Sequence, residues 1–482
     1  MKTAITSFIS EYLAEVVEGN AAIFAGAGLS APAGFVDWRE LIRPLSQELD
    51  LDIDLESDLV AVAQFHVNAN GRNRHRLHKA VIEALSADNP PTQNHILLAK
   101  LPIRTWWTTN YDKLIENALK DAGKIVDIKS AIQQLATTRP RRDAIVYKMH
   151  GDVDRPDEAV ATRDDFERYS TDRGAFITAL AGDLVSKTFL FLGFSFTDPN
   201  LEQVLARVRL TFTTNQRRHF AVFRTRTKRA DESDKAFEHD RTRQALVIED
   251  LKRFNVRVLL IDDYNEITDF LEELVSRYRR RTVFISTSAA NFEPWGQQAV
   301  SEFAQELGRS LVASGSRVAT GLGAGIGDAI FTGGLREVMR LNGSIEDSLI
   351  LRPFPQSGRH EERDELWETY RKEIISHAGI ALFLFGNKYS GDDVISADGV
   401  VREFEIARQQ GLVVIPVGAT GAAANALANI AIADPDKFIP EWGEDGPRIL
   451  GELADESTSL GRIIDITLDL VKILQRGHQG GS

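Results

Sequence analysis

Strand-like apolar runs alternate with helical patterns along this chain, and the alternation begins again after the basic stretch Arg279-Arg-Arg281. Parallel strands can be joined only by long crossovers, usually helices, so this rhythm predicts parallel sheets covered on both faces. In the first half the runs are Ala21–Ala25, Thr105–Thr109, Ala144–Met149, Phe189–Leu192, Phe220–Arg224 and Val256–Ile261. The polar, helix-like segment Ile42–Ala87 separates the first two and predicts a helical insertion. After a helix at Glu266–Tyr278, new runs follow at Thr282–Thr287, Arg317–Thr320, Ser348–Leu351, Ile380–Phe385 and Leu412–Val417. An amphipathic helix at Leu460–Gln475 precedes a Gly-rich tail that reads as disordered, and the charge-dense Lys228–Arg243 reads as a loop or exposed helix. At 482 residues the chain exceeds a single core. The expected class is α/β: two Rossmann-like doubly wound parallel-sheet domains, 1–280 and 281–482, the first with the helical insertion.

Composition removes several functions. No apolar run reaches membrane length and the first residues show no secretory signal pattern, which reads as a cytoplasmic chain. A net charge of -13 argues against bulk nucleic-acid binding. The chain has no cysteine, hence no disulfide, thiol nucleophile or cysteine zinc site. His75 and His78 are three apart on a basic, helical stretch and read as a solvated face, so no metal is expected.

Four polar patches end strand-like runs in the first half. Gly26-Ala27-Gly28-Leu-Ser30 follows the first run and suits a turn whose backbone N–H groups approach a pyrophosphate at a helix N-terminus; a tight turn without ligand is the plain alternative. Asn110 and Asp112, two apart beyond the second run, can face one crevice, although Asp112 could simply cap the helix Lys113–Leu119. His150 and Gly151 end the third run, and imidazole suits general acid–base work. Gly193-Phe-Ser195-Phe-Thr-Asp198-Pro199 ends a fourth, where Asp198 equally suits a helix cap.

In this order the patches resemble the sirtuin family, which implies chemistry at the nicotinamide–ribose bond of NAD. Gly34-Phe-Val-Asp-Trp38-Arg39 resembles the sirtuin stretch whose aromatic ring covers nicotinamide and whose arginine reaches the phosphate side, with Trp38 replacing phenylalanine. Thr109-Asn110-Tyr-Asp112 resembles the Gln-Asn-Ile-Asp motif, whose asparagine holds the ribose and a water and whose aspartate binds the amide. His150-Gly151 matches the catalytic His-Gly. Gly193 and Ser195 resemble the grip on the adenosine ribose. Acyl-lysine sirtuins carry a four-cysteine zinc ribbon that this chain cannot build, so water is the expected acceptor.

The second half resembles the SLOG superfamily of nucleotide-ligand domains. Gly321-Leu-Gly323-Ala-Gly325-Ile-Gly327 is a second nucleotide cradle after a strand. The Pro-Gly-Gly-Gly-Thr loop of related phosphoribohydrolases is missing. Arg371, Lys388 and Glu403 suit a pyrophosphate and a ribose hydroxyl, unless they are surface charges on three separate segments. Both halves, in this order, resemble the effector family of bacterial Thoeris anti-phage defence. That resemblance implies that a TIR-domain cyclase makes a cyclic ADP-ribose isomer, the SLOG half binds it through these residues, and the sirtuin half destroys NAD. It also implies homotetramers, with filaments on activation. Two rivals are an NAD-dependent deacylase or ADP-ribosyltransferase with a regulatory tail, and a non-catalytic NAD or ADP-ribose sensor, against which the Asn110/His150 pair speaks.

Overall fold

The runs Ala21–Ala25 and Thr188–Leu192 are buried at every position, as strands covered on both faces must be. A computed structural model describes residues 3–85, 88–196, 198–212, 216–230, 232–323, 325–353 and 360–476, the first five of the last segment by backbone alone. The Gly-rich tail, Ala87, Thr197 and Ala324 lie outside the described residues. The chain divides into two units, Met1–Val275 and Ser276–Ser482, and the division falls within the helix Asn265–Arg280.

The first unit holds seven strands: β1 (Ala21–Ala25), β2 (Thr105–Thr108), β3 (Val126–Lys129), β4 (Ala144–Lys148), β5 (Thr188–Leu192), β6 (His219–Arg224) and β7 (Val256–Ile261). All pair in parallel, in the order β3-β4-β2-β1-β5-β6-β7. Chain direction across the sheet reverses between β1 and β5, and the carboxyl ends at such a switch point open into a ligand crevice. Between β1 and β2 the insertion forms helices Trp38–Gln47, Leu59–Ala69 and His75–Leu85. Asp37 and Asp58 cap the first two, accepting from the Glu40 and Ala61 N–H groups at 2.9 Å each. Their apolar faces, including Leu41, Ile42, Val62, Leu77 and Val81, form a small core with Tyr111, Leu114 and Val153.

The second unit holds β8 (Thr282–Ser288), β9 (Arg317–Thr320), β10 (Leu349–Leu351), β11 (Ile380–Phe385), β12 (Asn387–Ser390), β13 (Asp393–Ser396) and β14 (Val413–Val417). Five of them form a parallel sheet in the order β10-β9-β8-β11-β14, whose switch point lies between β8 and β11. β12 and β13 form a separate antiparallel hairpin. The α/β class with two Rossmann-like sheets thus stands. Two elements differ from expectation. The edge strand β3 and the β12–β13 hairpin were not anticipated, being short and rich in polar residues; of the two readings of the charge-dense stretch, the exposed helix is the one found, Asp234–Leu251, on which only Leu251 is buried. Among the described residues no helix is long and apolar enough to cross a membrane.

Candidate functional site

Loops beyond the carboxyl ends of β1, β2, β4 and β5 meet in a cavity of about 560 Å³ whose lining includes Ala27, Ser30, Trp38, Arg39, Asn110, Asp112, His150, Gly193 and Ser195. Gly26 and Gly28 do not line it. Their own N–H groups are used within the fold: the Gly26 N–H donates to the Leu192 carbonyl at 2.9 Å and the Gly28 N–H to the Gly193 carbonyl at 3.0 Å. What these glycines permit is backbone contact. A Cβ on Gly26 would stand 2.4 Å from the Gly193 oxygen, and one on Gly193, itself at φ +64°, would stand 2.2 Å from the Leu29 nitrogen. The β1 and β5 loops are thereby pressed together at the switch point.

Asn110 stands two residues beyond β2 and is 9% exposed. Its Nδ2 donates to the Gly26 carbonyl and to Ser30 Oγ, both at 3.0 Å, and its N–H donates to Thr108 Oγ1 at 2.9 Å. Both amide hydrogens are thus occupied, and Oδ1 is the pole without a hydrogen-bond donor among the described residues. Asp112 Oδ1 accepts from the Leu114 N–H at 3.0 Å at the start of the helix Leu114–Asp121, and the residue also lines the cavity. Trp38 begins the first insertion helix, its ring 6.3 Å from that of Tyr111, and its buried Nε1 has no hydrogen-bond partner among the described residues. Such an orphaned donor fits a cavity that takes a polar ligand. Arg39 lines the cavity, but its guanidinium donates to the Ile53 carbonyl and, at 3.1 Å, to the Glu56 carbonyl, so its present work is to hold the loop between two insertion helices.

His150 stands two residues beyond β4, edge-on to Phe166 and Tyr169 at 5.3 and 6.2 Å between ring centres. Its Nε2 lies 3.0 Å from Asp198 Oδ2, close enough for an ion pair once the ring is protonated, though not aligned as a hydrogen bond. Asp198 is a cap as well: Oδ1 accepts from the Asn200 and Leu201 N–H groups at 2.9 and 3.0 Å, at the start of the helix Pro199–Thr211. Burial pushes its carboxyl up, but His150 and those two N–H groups outweigh burial and hold it below the ordinary aspartate value. Sequence reasoning read Asp198 as a cap and missed this second partner; nothing local to Asp198 announces it.

In the second unit Gly323 and Gly325 again mark backbone approach. A Cβ on Gly323 would stand 1.7 Å from the Thr287 carbonyl oxygen, and one on Gly325, at φ +89°, 1.9 Å from that of Ala289. Of the three charged residues two come together: Arg371 Nε lies 3.5 Å from Glu403 Oε1, and Glu403 Oε2 accepts from Ser286 Oγ of β8 at 2.6 Å. Burial pushes the Glu403 carboxyl up, further than Ser286 and Arg371 bring it down. Lys388, on the β12–β13 hairpin, pairs instead with Asp398 at the start of the helix that carries Glu403. Ser286 and Asp398 are the participants that sequence reasoning missed. Among the described residues no cluster of His, Asp and Glu could hold a metal ion.

Two family models match successive parts of the chain. Residues 104–246 match a SIR2-like domain, and residues 266–474 match the Sir2- and TIR-associating SLOG family. The chain is 43% identical to "NAD(+) hydrolase ThsA" of Bacillus cereus (strain MSX-D12), covering 98% of this chain and 99% of that protein. It is 46% identical to "NAD(+) hydrolase ThsA" of Acinetobacter baumannii (strain 532279), covering 97% and 98%. It is 41% identical to the protein of that name from Cytobacillus dafuensis, covering 99% and 98%. With such identity running the length of both units, the chain belongs to the ThsA family.

Proposed function

We propose that the first unit hydrolyses NAD+ to nicotinamide and ADP-ribose, and that a cyclic ADP-ribose isomer bound by the second unit switches it on. The observation that carries the first part is the convergence of Asn110, Asp112 and the facing His150 and Asp198 in one cavity at the switch point of the sheet. Nicotinamide departs with the electron pair of the ribose C1′–N bond, leaving positive charge on the ribose. Asn110, its two amide hydrogens already occupied, offers Oδ1 to that charge or to the attacking water. Asp112 and the Nε1 of Trp38, unpartnered among the described residues, supply an acceptor and a donor for the nicotinamide amide. His150 accepts the proton of the attacking water or of a ribose hydroxyl, and the Asp198 carboxylate stabilises the imidazolium that results. Water adds to C1′ and one proton is released.

For the second unit, Arg371 and Glu403 offer one cation and one carboxylate to a ligand with phosphate and hydroxyl groups, and Lys388 adds a cation if it leaves Asp398. A ligand shifts a resting enzyme to an active one only by binding the active arrangement more tightly. We place the chain in anti-phage defence, cytoplasmic and assembled as a homotetramer or filament, coupled to a TIR-domain cyclase through its diffusible product. The test is chromatography of purified protein incubated with NAD+, with and without cyclic ADP-ribose isomers. Nicotinamide and ADP-ribose in equal amounts, rising with one isomer and indifferent to EDTA, are the expected result. Release that instead requires an acyl-lysine peptide would establish a deacylase.

A further inference from the structure

Lys148, the last residue of β4, is fully buried and has no place in the chemistry proposed above. Its Nζ donates to the carbonyls of Tyr111 and Asp112 at 3.0 and 2.6 Å and pairs with Glu116 at 2.8 Å and Asp152 at 2.7 Å. Those four partners lie on both sides of the reacting groups: Tyr111 and Asp112 follow Asn110, Glu116 is on the next helix, and Asp152 comes two residues after His150. One ammonium therefore binds the Asn110 loop to the His150 loop from beneath. Among the described residues two backbone bonds do similar work there, from the Val153 N–H to the Tyr111 carbonyl and from the Met149 N–H to the Thr108 carbonyl, each at 3.1 Å.

Burying a lysine for packing alone is a poor use of the position, because an aliphatic side chain fills the same space without desolvating an ion. The ammonium has three donor hydrogens, which an apolar residue cannot reproduce toward two carbonyls whose lone pairs point inward. Glu116 and Asp152 keep it charged: their proximity raises its pKa although burial alone would lower it.

We propose that Lys148 is a positioning residue that sets the separation of Asn110 and His150 for cleavage of the nicotinamide–ribose bond. This rests on the hydrolase reading given above. Misplacement by about an ångström from a residue outside the chemistry can cost about a hundredfold in rate. Lys148→Met should accordingly lower kcat for nicotinamide release about a hundredfold and leave KM nearly unchanged. The same variant should show faster amide hydrogen exchange across 109–114 and 150–154, with β1 and β5 as slow as in wild type. Lys148→Met/Glu116→Gln, which keeps the formal charge of the cluster, provides a second variant should the first fail to fold. Wild-type kcat in a folded variant, or unchanged exchange in those segments, would overturn the proposal. Collapse of both variants would also overturn it, by assigning the lysine to folding as a whole. A wild-type protein that releases no nicotinamide under any condition would instead remove the hydrolase reading, and the exchange measurement would still decide whether Lys148 holds the two loops.

Discussion

In the first unit the glycine turn after β1 lies against the backbone of Gly193; in the second, the turn after β9 lies against the carbonyls of Thr287 and Ala289. Both turns need glycine for the same steric reason, and both stand beside a switch point. What surrounds them differs. Around the first, an amide, an imidazole and the carboxylates of Asp37, Asp112 and Asp198 line a single cavity. Around the second, a buried carboxylate is matched to one guanidinium and one hydroxyl, while the remaining cation turns to Asp398. The glycines therefore report how closely two backbones pass, and the side chains from neighbouring strand ends decide whether the place does chemistry or holds charge.

The largest effect expected to separate the two regions comes from Asn110→Ala and His150→Ala. Each should lower nicotinamide release by about 10²–10⁴-fold, while calorimetric binding of a cyclic ADP-ribose isomer stays as in wild type. Loss of that binding would show that the two regions are not separable.

Asp198→Asn keeps a capping oxygen but removes the charge facing His150. A charge-assisted contact contributes about 1.5–3 kcal/mol, so kcat should fall by about one to two decades. The same carboxyl predicts a pH signature. Its folded pKa is depressed, so the stability it contributes is complete above the unfolded value of about 4 and is lost as pH falls through the lower folded value. Glu403 has the opposite sign. Its folded pKa is raised, so ionisation costs stability above the folded value, and acidification relieves that cost. Melting curves from neutral pH downward should show Asp198→Asn converging on wild type only below about pH 4. Glu403→Gln should show its greatest relative stability at neutral pH. Parallel curves for the two variants would dissolve the contrast drawn between the sites.

Arg371→Ala should raise the signal concentration for half-maximal NAD+ turnover by about one to two decades, the loss of a charged phosphate contact. An unshifted response would remove Arg371 from the sensing site. Smallest of all should be the stability change in Lys388→Ala. Its pair with Asp398 is exposed, and such pairs contribute at most about 1 kcal/mol. A larger drop in melting temperature would mean that the hairpin is held by this contact.

The central strands and the loops beyond them were legible because strands buried on both faces read as unbroken apolar runs, and because glycine turns mark their carboxyl ends. The edge strand β3, Val-Asp-Ile-Lys, was not: its Asp127–Lys129 ion pair at 2.9 Å buries two charges that look solvated in isolation. Asn110 and His150 could be named from their neighbours. Asp198 could be read only halfway, since a cap is a local device and its approach to His150 is not. The bonding of the Gly26 and Gly28 N–H groups was not legible for a related reason, because the carbonyls that take them belong to the end of β5 and its loop, far along the chain.

The abutment of the β1 and β5 loops has a consequence for the cavity. Where Gly26, Gly28 and Gly193 meet, the contact is backbone on backbone, with no Cβ between the two loops. The opposite wall, with Trp38, Leu59, Val60 and Leu85, belongs to the insertion, whose helices carry a small core of their own. The cavity is thus lined in part by loops fixed backbone to backbone and in part by an element that carries its own core.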